Sequence, residues 1–245
     1  MNFFIEIFYV ILYQPLLNIL VWLYNFLPGH DLGLALIILT VAIRLVLHPL
    51  SVKSIASQKS LQELQPKIEK LQKELKDKKE EQAKAMLELY QKEKINPFSG
   101  CLMVLLQLPF LVTLYYVALN SLKPEVLHND LYSFTSDPGA IKPTLFWLLD
   151  LHNKIVIGVM AGASGLLQFL QTKISMAYTK PSDMGQAGDM AKMMQKQMVY
   201  FFPLISVLMV WQLGGLVGVY WTVSSLFALL EQRIIYNKSK TTKIS

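Results

Sequence analysis

An arginine inside an apolar run is the feature that most constrains this chain. The run Gly33–Leu50, GLALIILTVAIRLVLHPL, carries Arg44 in its second half. As an α-helix it rises about 27 Å, close to the thickness of the hydrocarbon core of a bilayer. A guanidinium there costs about 2.5 to 3.5 kcal/mol on insertion scales, so an intramembrane arginine usually marks a function. The alternative is that its long side chain only reaches back to the headgroups.

The composition is that of a polytopic membrane protein. Hydrophobic residues make up 53% of the 245 residues, charged residues 16%, and the mean hydropathy is +0.38, which excludes an ordinary soluble domain. The net charge is +6 and the pI is near 9.2. Because 11 of the 23 Lys and Arg lie in Lys53–Lys94, the charge indicates a membrane protein with a basic aqueous segment facing the ribosome, and DNA is not an expected partner.

Cysteine usage and the N-terminus exclude two further classes. The single cysteine, Cys101, lies in an apolar run, which rules out an intramolecular disulfide and argues against a metal cluster. We interpret it as a small packing residue. The first ten residues, MNFFIEIFYV, lack the basic region and cleavage site of a secretory signal. We therefore expect either that the chain begins with its mature sequence or that a processed segment preceded it.

Hydropathy and lysine placement predict an all-α fold with five membrane spans. The predicted spans are residues 33–50, 100–120, 154–173, 199–213 and 216–235. The segments 51–96 and 174–197 and the tail 236–245 are rich in lysine, whereas residues 1–32 have none and the 121–153 loop has an acidic excess. The positive-inside rule then places the N-terminus outside and the C-terminus in the cytoplasm.

The first 32 residues contain an amphipathic helix. Gln14, Asn18 and Asn25 recur on one helical face, and Pro15 suits a first turn. We interpret residues 15–27 as an interfacial helix on the outer surface, with a sixth span as the alternative. Pro28, Gly29 and Asp31 then break the chain.

The charged insert 51–96 carries two apolar stripes. The first stripe has the 3, 4, 3, 4 spacing of a coiled-coil seam, and the second follows a polar break at Asp77-Lys78-Lys79. The stripes are Leu61, Leu64, Ile68, Leu71 and Leu75, then Ala83, Met86, Leu87 and Tyr90. They predict an antiparallel helical hairpin, with Pro66 kinking the first helix or marking a fresh start near Gln65. The hairpin is either a docking site for the ribosome or targeting machinery, or a solvated spacer.

The later spans and loops carry their own signals. Pro109 predicts a kink with packed support in the second span, and Leu145–Leu151 is a candidate short helix. Gly158, Gly162 and Gly165 favour close helix contact in the third span, and Gly214-Gly215 predicts a tight turn. Four methionines, Met190, Met193, Met194 and Met198, share one helical face, which suits either varied apolar partners or the inner leaflet.

Arg44 lacks an obvious counter-ion in the predicted spans. The only carboxylate there is Glu231, near the cytoplasmic end of the last span. The available partners are neutral: Gln107, Thr113, Gln168, Gln171, Gln212, Thr222, Ser224 and Ser225. Amides and hydroxyls around one cation predict a wet, positively charged cavity that attracts an acidic or polar peptide segment.

Several motifs resemble one family. The run INPFSGCLMVLLQLPFLVTLYY, ending at Tyr116, is similar to the second-span signature of the YidC and Oxa family of membrane-protein insertases. Further similar elements are Arg44-x-x-x-x-Pro49-Leu50, Leu64-Gln65-Pro66-Lys67, Leu89-Tyr90, Gln171 and Tyr220-Trp221. The resemblance extends from about residue 15 to residue 236.

The resemblance implies a five-span insertase core with a cytoplasmic hairpin and a groove open to cytoplasm and lipid. It assigns Arg44 to the groove, lined also by Gln171, Tyr220 and Trp221, and makes nascent membrane proteins the substrate, with the ribosome, the Sec translocon, signal-recognition targeting machinery and lipids as partners. The large extracytoplasmic domain of some members is missing. The turn before Tyr220 reads Gly214-Gly215-Leu216-Val217 in place of the usual Pro-x-Gly-Leu, and the short tail argues against ribosome tethering by it.

Other classes fit less well. A small-solute transporter or channel is expected to show an internal repeat or paired ionisable residues, and a coiled-coil scaffold does not need Arg44. The four histidines, His30, His48, His128 and His152, lie at different predicted depths. They form no metal spacing or nucleophile constellation, so no enzyme activity, cofactor or metal is expected.

Overall fold

The computed structural model describes residues 3–76, 78–93, 99–177 and 185–241. Three sequence predictions lie outside these residues: the hairpin end at Asn96-Pro97, the 178–184 part of the methionine-rich loop, and the last four residues of the tail. The side chains of Met190, Met193, Met194 and Met198 are likewise outside the description.

The chain is mostly helical, as an all-α membrane protein requires. In chain order the elements are α1 (Phe3–Phe8), a π-helical turn (Tyr9–Tyr13), α2 (Gln14–Phe26), α3 (Leu32–Glu74), α4 (Lys79–Lys92), α5 (Ser99–Asn120), α6 (Pro124–Asp130), β1 (Thr144–Leu145), β2 (Leu149–Asp150), α7 (Lys154–Ala177), α8 (Gly185–Leu213) and α9 (Gly215–Thr241). Among the described residues, three helical stretches are long and apolar enough to cross a membrane: Ile5–Phe26, Leu32–Leu61 and Lys154–Ile174. Val199–Leu213 is a shorter apolar helix.

The N-terminal helix begins well before Pro15. Proline lacks an N–H and cannot donate within the preceding turn, and the chain adapts with a π-helical turn in which the Gln14 N–H donates to the Tyr9 carbonyl. The polar face faces protein rather than headgroups. Asn18 Nδ2 donates to Asp130 O at 3.1 Å and Asn25 Nδ2 donates to Ser136 O at 2.7 Å.

Helix α3 runs without a break from the predicted first span into the charged insert. Asp31 caps its N-terminus by accepting the Leu34 N–H at 2.7 Å. Pro49 and Pro66 both lie inside the helix, so no new helix begins near Gln65. The basic segment is therefore a rigid extension of the apolar one.

The 121–153 segment departs from the prediction at its end. Leu145–Leu151 is not a helix. β1 and β2 pair antiparallel there, with Leu145 opposite Leu149. The turn between them contains Phe146 and Trp147 at φ 53° and 60°, and left-handed backbone is incompatible with a continuing α-helix. We call residues 144–150 the β-turn segment.

The hydrophobic core lies at one end of the bundle. Its buried members come from α2, the first quarter of α3, the last third of α5 and the first residues of α9, with Leu127, Ile141, Leu145 and Leu151 covering them. Gly214, at φ 98°, makes the predicted tight turn from α8 to α9. A Cβ on Gly165 would lie 2.4 Å from Val207 Cγ2, so this glycine permits the close approach of α8 to α7.

Helix α9 is the centre of the helix packing. It packs against α3 on one side and α7 on the other, and α7 packs in turn along α8. Helix α5 packs on α3 and more lightly on α9. Among the described residues α5 makes no extended contact with α7.

Candidate functional site

Arg44 lies where α3 crosses α9. Its Nε is 3.4 Å from Ser224 Oγ, a long hydrogen bond to a buried hydroxyl. No residue in the described ranges forms a salt bridge with it. A guanidinium has five N–H donors, so the contact with Ser224 leaves most of its donor capacity unused.

Glu231, the nearest carboxylate along α9, is committed elsewhere. Its Oε2 accepts from Ser51 Oγ at 2.7 Å and its Oε1 contacts His48 Nδ1. Glu231 is 4% exposed, whereas the side chain of His48 is half exposed. The three residues join α3 to α9, and in the described part of the chain no carboxylate lies within salt-bridge range of the Arg44 charge.

A second polar contact joins α5 to the same face of α9. Gln107 Nε2 donates to the Tyr220 hydroxyl. Tyr220 precedes Ser224 by four residues and therefore shares its helical face. Arg44, Ser224, Tyr220 and Gln107 thus lie in a row across α3, α9 and α5, although they are distant in the sequence.

The third polar contact lies on the α7 side of α9. Ser225 Oγ donates to Gln168 Oε1 at 3.4 Å. Trp221 precedes Ser225 by one helical turn and is half-buried, and Gln171 follows Gln168 on α7 with intermediate exposure. The remaining neutral candidates are less involved, because Thr113 bonds the Pro109 carbonyl within α5 and Gln212 is exposed.

The hairpin candidates occupy a separate region. Leu64 is 4% exposed, while Pro66 and Lys67 are exposed on α3. Lys67 Nζ contacts Glu93 Oε1 at 2.5 Å, and Gln82 Nε2 donates to the Gln72 carbonyl at 3.1 Å, so α4 lies alongside α3. Burial raises the pKa of the Tyr90 phenol.

This arrangement offers charged and hydrogen-bonding groups that are suited to binding. His30, His48 and His128 contact the Tyr24 carbonyl, Glu231 and Asp137 respectively, in three separate places. The described residues contain no cluster of three or more His, Cys, Asp or Glu able to hold a metal. A partly buried cation flanked by neutral donors and acceptors is suited to transient contacts with polar peptide groups.

Sequence reasoning missed two clusters. The Glu231 contact with Ser51 and His48 joins positions about 180 residues apart, and no local pattern pairs them. Asp130 receives hydrogen bonds from Tyr9 at 2.6 Å and Tyr13 at 2.8 Å. The spacing of these tyrosines, on the face that carries Asn18, is a signal that was available.

Comparison with known proteins gives one consistent result. The family model described as "60Kd inner membrane protein" matches residues 22–243. The chain is 33% identical over 229 residues to proteins named "Membrane protein insertase YidC" from Francisella tularensis subsp. novicida (strain U112) and from Francisella tularensis subsp. tularensis (strain SCHU S4 / Schu 4). Each alignment covers 92% of this chain and 36% of the relative, so the chain spans about a third of the length of these relatives.

Proposed function

The chain belongs to the 60Kd inner membrane protein family, and from that premise we propose that it is a membrane-protein insertase that also helps its substrates to fold. Its relatives are named membrane protein insertases, and the polar row on α3, α9 and α5 supports the same activity here. The observation that carries the proposal is Arg44, a cation inside an apolar helix whose hydrogen-bond partner among the described residues is a hydroxyl at 3.4 Å.

The mechanism rests on a groove around Arg44. Its walls are the row formed by Arg44, Gln107 and Tyr220, continued on the α7 side by Gln168, Gln171 and Trp221. A peptide gains access from lipid between α5 and α7, which make no extended contact in the described part of the chain. In the groove, a polar or acidic segment of the substrate replaces its contacts with water by contacts with these side chains and with the positive charge. The apolar distance that the segment must cross becomes shorter.

The topology follows the lysine distribution. The N-terminus lies outside a bacterial inner membrane, five segments cross it, and α4 with the second half of α3 forms a cytoplasmic hairpin. The α3–α4 contacts at Lys67–Glu93 and Gln72–Gln82 support the hairpin. The continuous helix Ile5–Phe26 is long enough to be a sixth span, which would put the N-terminus in the cytoplasm.

A cysteine at position 76 decides the orientation. Lys76 is exposed at the end of the α3 extension, and Lys76→Cys in a Cys101→Ala background should resist an impermeant maleimide in intact cells and react after permeabilisation. Ala140→Cys, exposed in the 121–153 loop, is the matched control and should react from outside. Labelling of position 76 in intact cells contradicts the topology.

Partners follow from this placement. Nascent membrane proteins are the substrates and lipids cover the open faces. The exposed lysines of the hairpin suit the ribosome and targeting machinery, and the family resemblance adds the Sec translocon as a partner. Leu64, Pro66, Lys67 and Tyr90 define the docking hairpin.

Substitution of Arg44 tests the groove. Arg44→Lys should keep most insertion activity, because a hydrated charge is required and not a planar fork, whereas Arg44→Ala should lose it, most for acidic translocated tails. The measurement is protease protection of a single-span substrate in proteoliposomes. Arg233→Ala is the matched control, since Arg233 is the chain's other arginine and is exposed on α9.

Three results would count against this mechanism. Equal protection with wild type and Arg44→Ala would reject a role for the charge. If Arg44→Lys and Arg44→Ala lose the same amount of protection, Arg44 acts as a bidentate clamp that needs the planar guanidinium, and charge alone is not sufficient. A loss with Arg233→Ala as large as with Arg44→Ala would indicate a general effect of positive charge rather than a groove.

A further inference from the structure

The β-turn segment presents a cluster of exposed apolar side chains. Leu148 is 87% exposed, Trp147 53% and Phe146 48%. Trp147 lies against Pro28 and Gly29, and the neighbouring Phe26 is 73% exposed. Four large apolar residues, two of them consecutive aromatics, thus face outward at one place, which water alone would not favour.

The strained backbone of the turn, with positive φ at Phe146 and Trp147, directs these side chains away from the protein core. Left-handed backbone at a non-glycine residue costs about 1 kcal/mol or more and persists only when its surroundings impose it. Here Asp31 Oδ2 accepts the Trp147 N–H at 2.7 Å, and Trp147 Nε1 donates to the Pro28 carbonyl at 3.1 Å. The turn is therefore fixed to the N-terminus of α3.

The segment lies level with the ends of the membrane helices. The Gly215 N–H, at the start of α9, donates to the Leu151 carbonyl at 3.2 Å. A Cβ on Gly33 would lie 2.7 Å from Leu145 Cδ1, so β1 packs on the first turn of α3. Ile155, in the first turn of α7, is 77% exposed. The apolar surface of the helices therefore continues into the turn.

We propose that the β-turn segment is a lipid-binding surface that seats in the headgroup and upper acyl region of the bilayer. Continuity with the lipid-facing side chains of α7 identifies lipid as the occupant, and aromatic rings at helix ends are typical of that depth. The lipid contact compensates for the strained turn and its exposed apolar area.

The lipid seat sets the depth of the groove. Asp31 both caps α3 and holds Trp147, so the turn and the helix move together. Arg44 follows Asp31 by 13 residues, about 20 Å along the helix. Anchoring the turn thereby fixes the height of the Arg44 charge. Only this consequence rests on the proposed insertase function.

Site-directed fluorescence in liposomes tests the lipid contact. In a Cys101→Ala background, an environment-sensitive fluorophore is placed on Leu148→Cys, with Ala140→Cys as the aqueous control and Val159→Cys, 60% exposed on α7, as the deep control. Lipids carry a nitroxide at acyl carbon 5 or 12. We expect position 148 to be blue-shifted relative to 140 and quenched more by the shallow nitroxide than by the deep one.

Each other outcome overturns the proposal. Emission and quenching equal to position 140 would mean that the turn lies in water. Blue-shifted emission without lipid quenching would mean that protein, such as a second copy, covers it. Quenching like position 159 would place it in the bilayer interior. None of these readouts depends on insertion activity, so failure here is separate from failure of the proposed function.

A second label tests the depth consequence. Val46 is 76% exposed on α3, two residues beyond Arg44. With the fluorophore on Val46→Cys, Leu148→Asp should release the turn towards water and shift quenching towards the deeper nitroxide, whereas Leu148→Ile should not. An unchanged profile in Leu148→Asp, with position 148 already shown to contact lipid, would reject the depth role.

Discussion

The charged side chains at the two ends of the bundle differ in how many hydrogen bonds they make within the protein. At the end where α3 and α9 begin, Asp31 is fully buried and its two oxygens accept the N–H groups of Leu34 and Trp147, both at 2.7 Å. Asp130 nearby accepts from two tyrosine hydroxyls. Further along α3, Arg44 has one hydroxyl at 3.4 Å.

The difference separates structural charges from available ones. A buried charge whose hydrogen bonds are all made within the protein has nothing left to offer a ligand, and removing it leaves its partners unpaired. A charge with unused donors must be solvated by water or by a ligand. Asp31 and Asp130 are therefore parts of the scaffold, and Arg44 is the group that the scaffold presents.

Hydrophobic packing also differs between the two ends of the bundle. The connected hydrophobic core lies at the Asp31 end, and the polar row formed by Arg44, Ser224, Tyr220 and Gln107 begins where that core stops, with Tyr220 in both. The rigid end supplies the positioning that a binding site needs, and the polar end is free to exchange partners.

Removing the Asp31 carboxylate should have the largest effect on stability. Asp31→Ala loses a helix cap and a second charge-assisted hydrogen bond, which together are worth about 3 kcal/mol. The unfolding free energy in detergent should fall by that amount, and Glu88→Ala, at an exposed carboxylate on α4, should change it by less than about 0.5 kcal/mol. Arg44→Ala should be neutral in the same assay. If Arg44→Ala lowered the unfolding free energy and Asp31→Ala did not, Arg44 would be the structural charge and Asp31 the available one.

Much of this fold could be predicted from the sequence, because long apolar runs form membrane helices. Helices occupy all the predicted spans, with α7 and α9 extending beyond the predicted limits at their C-terminal ends. The prediction of a helix at the short run Leu145–Leu151 is wrong, because two strands pair there. Seven apolar residues do not separate helix from strand by periodicity, and the contact with Asp31 that imposes the turn is more than 100 residues away.

The candidate site was predictable in kind but not in detail. Arg44 stands out because charge in an apolar run is costly. Its partner Ser224, 180 residues away, was one of eight neutral candidates that sequence alone does not rank. The polar face of Asn18 and Asn25 shows the same limit, since periodicity identified the face but not the 130–136 backbone that covers it.

Excising the hairpin should sharpen the contrast from the far end of α3. Replacing Gln65–Leu87 by a Gly-Ser join should shift the thermal midpoint in detergent only slightly, because the connected core lies at the other end, yet it should impair the proposed insertion activity. Changing exposed Lys70, Lys73 and Lys76 to Gln, with the apolar stripes kept, is the control that isolates charge. Collapse of thermal stability on excision would show that the hairpin belongs to the core.

The smallest effect should come from Asp137, an anion of the Asp31 end that is solvent-accessible. The Gly139 N–H, at 2.8 Å from Oδ1, and then His128, at 3.2 Å from Oδ2, hold the pKa of this carboxyl below its ordinary value of 3.8. A depressed folded pKa gives stability that is present above the unfolded value and lost as the pH falls through the folded one. The contribution should therefore disappear only below about pH 4 and stay slight, because solvent screens exposed charges.

Thermal midpoints of wild type and Asp137→Asn at pH 5 and pH 3, on the order of one unit either side of the unfolded pKa, measure this contribution. The wild-type midpoint should fall slightly more than that of the variant on acidification, and added salt should reduce the difference. If the two chains respond identically, exposed anions at this end contribute nothing measurable, and the stabilisation belongs only to carboxylates that are buried and saturated, as Asp31 is.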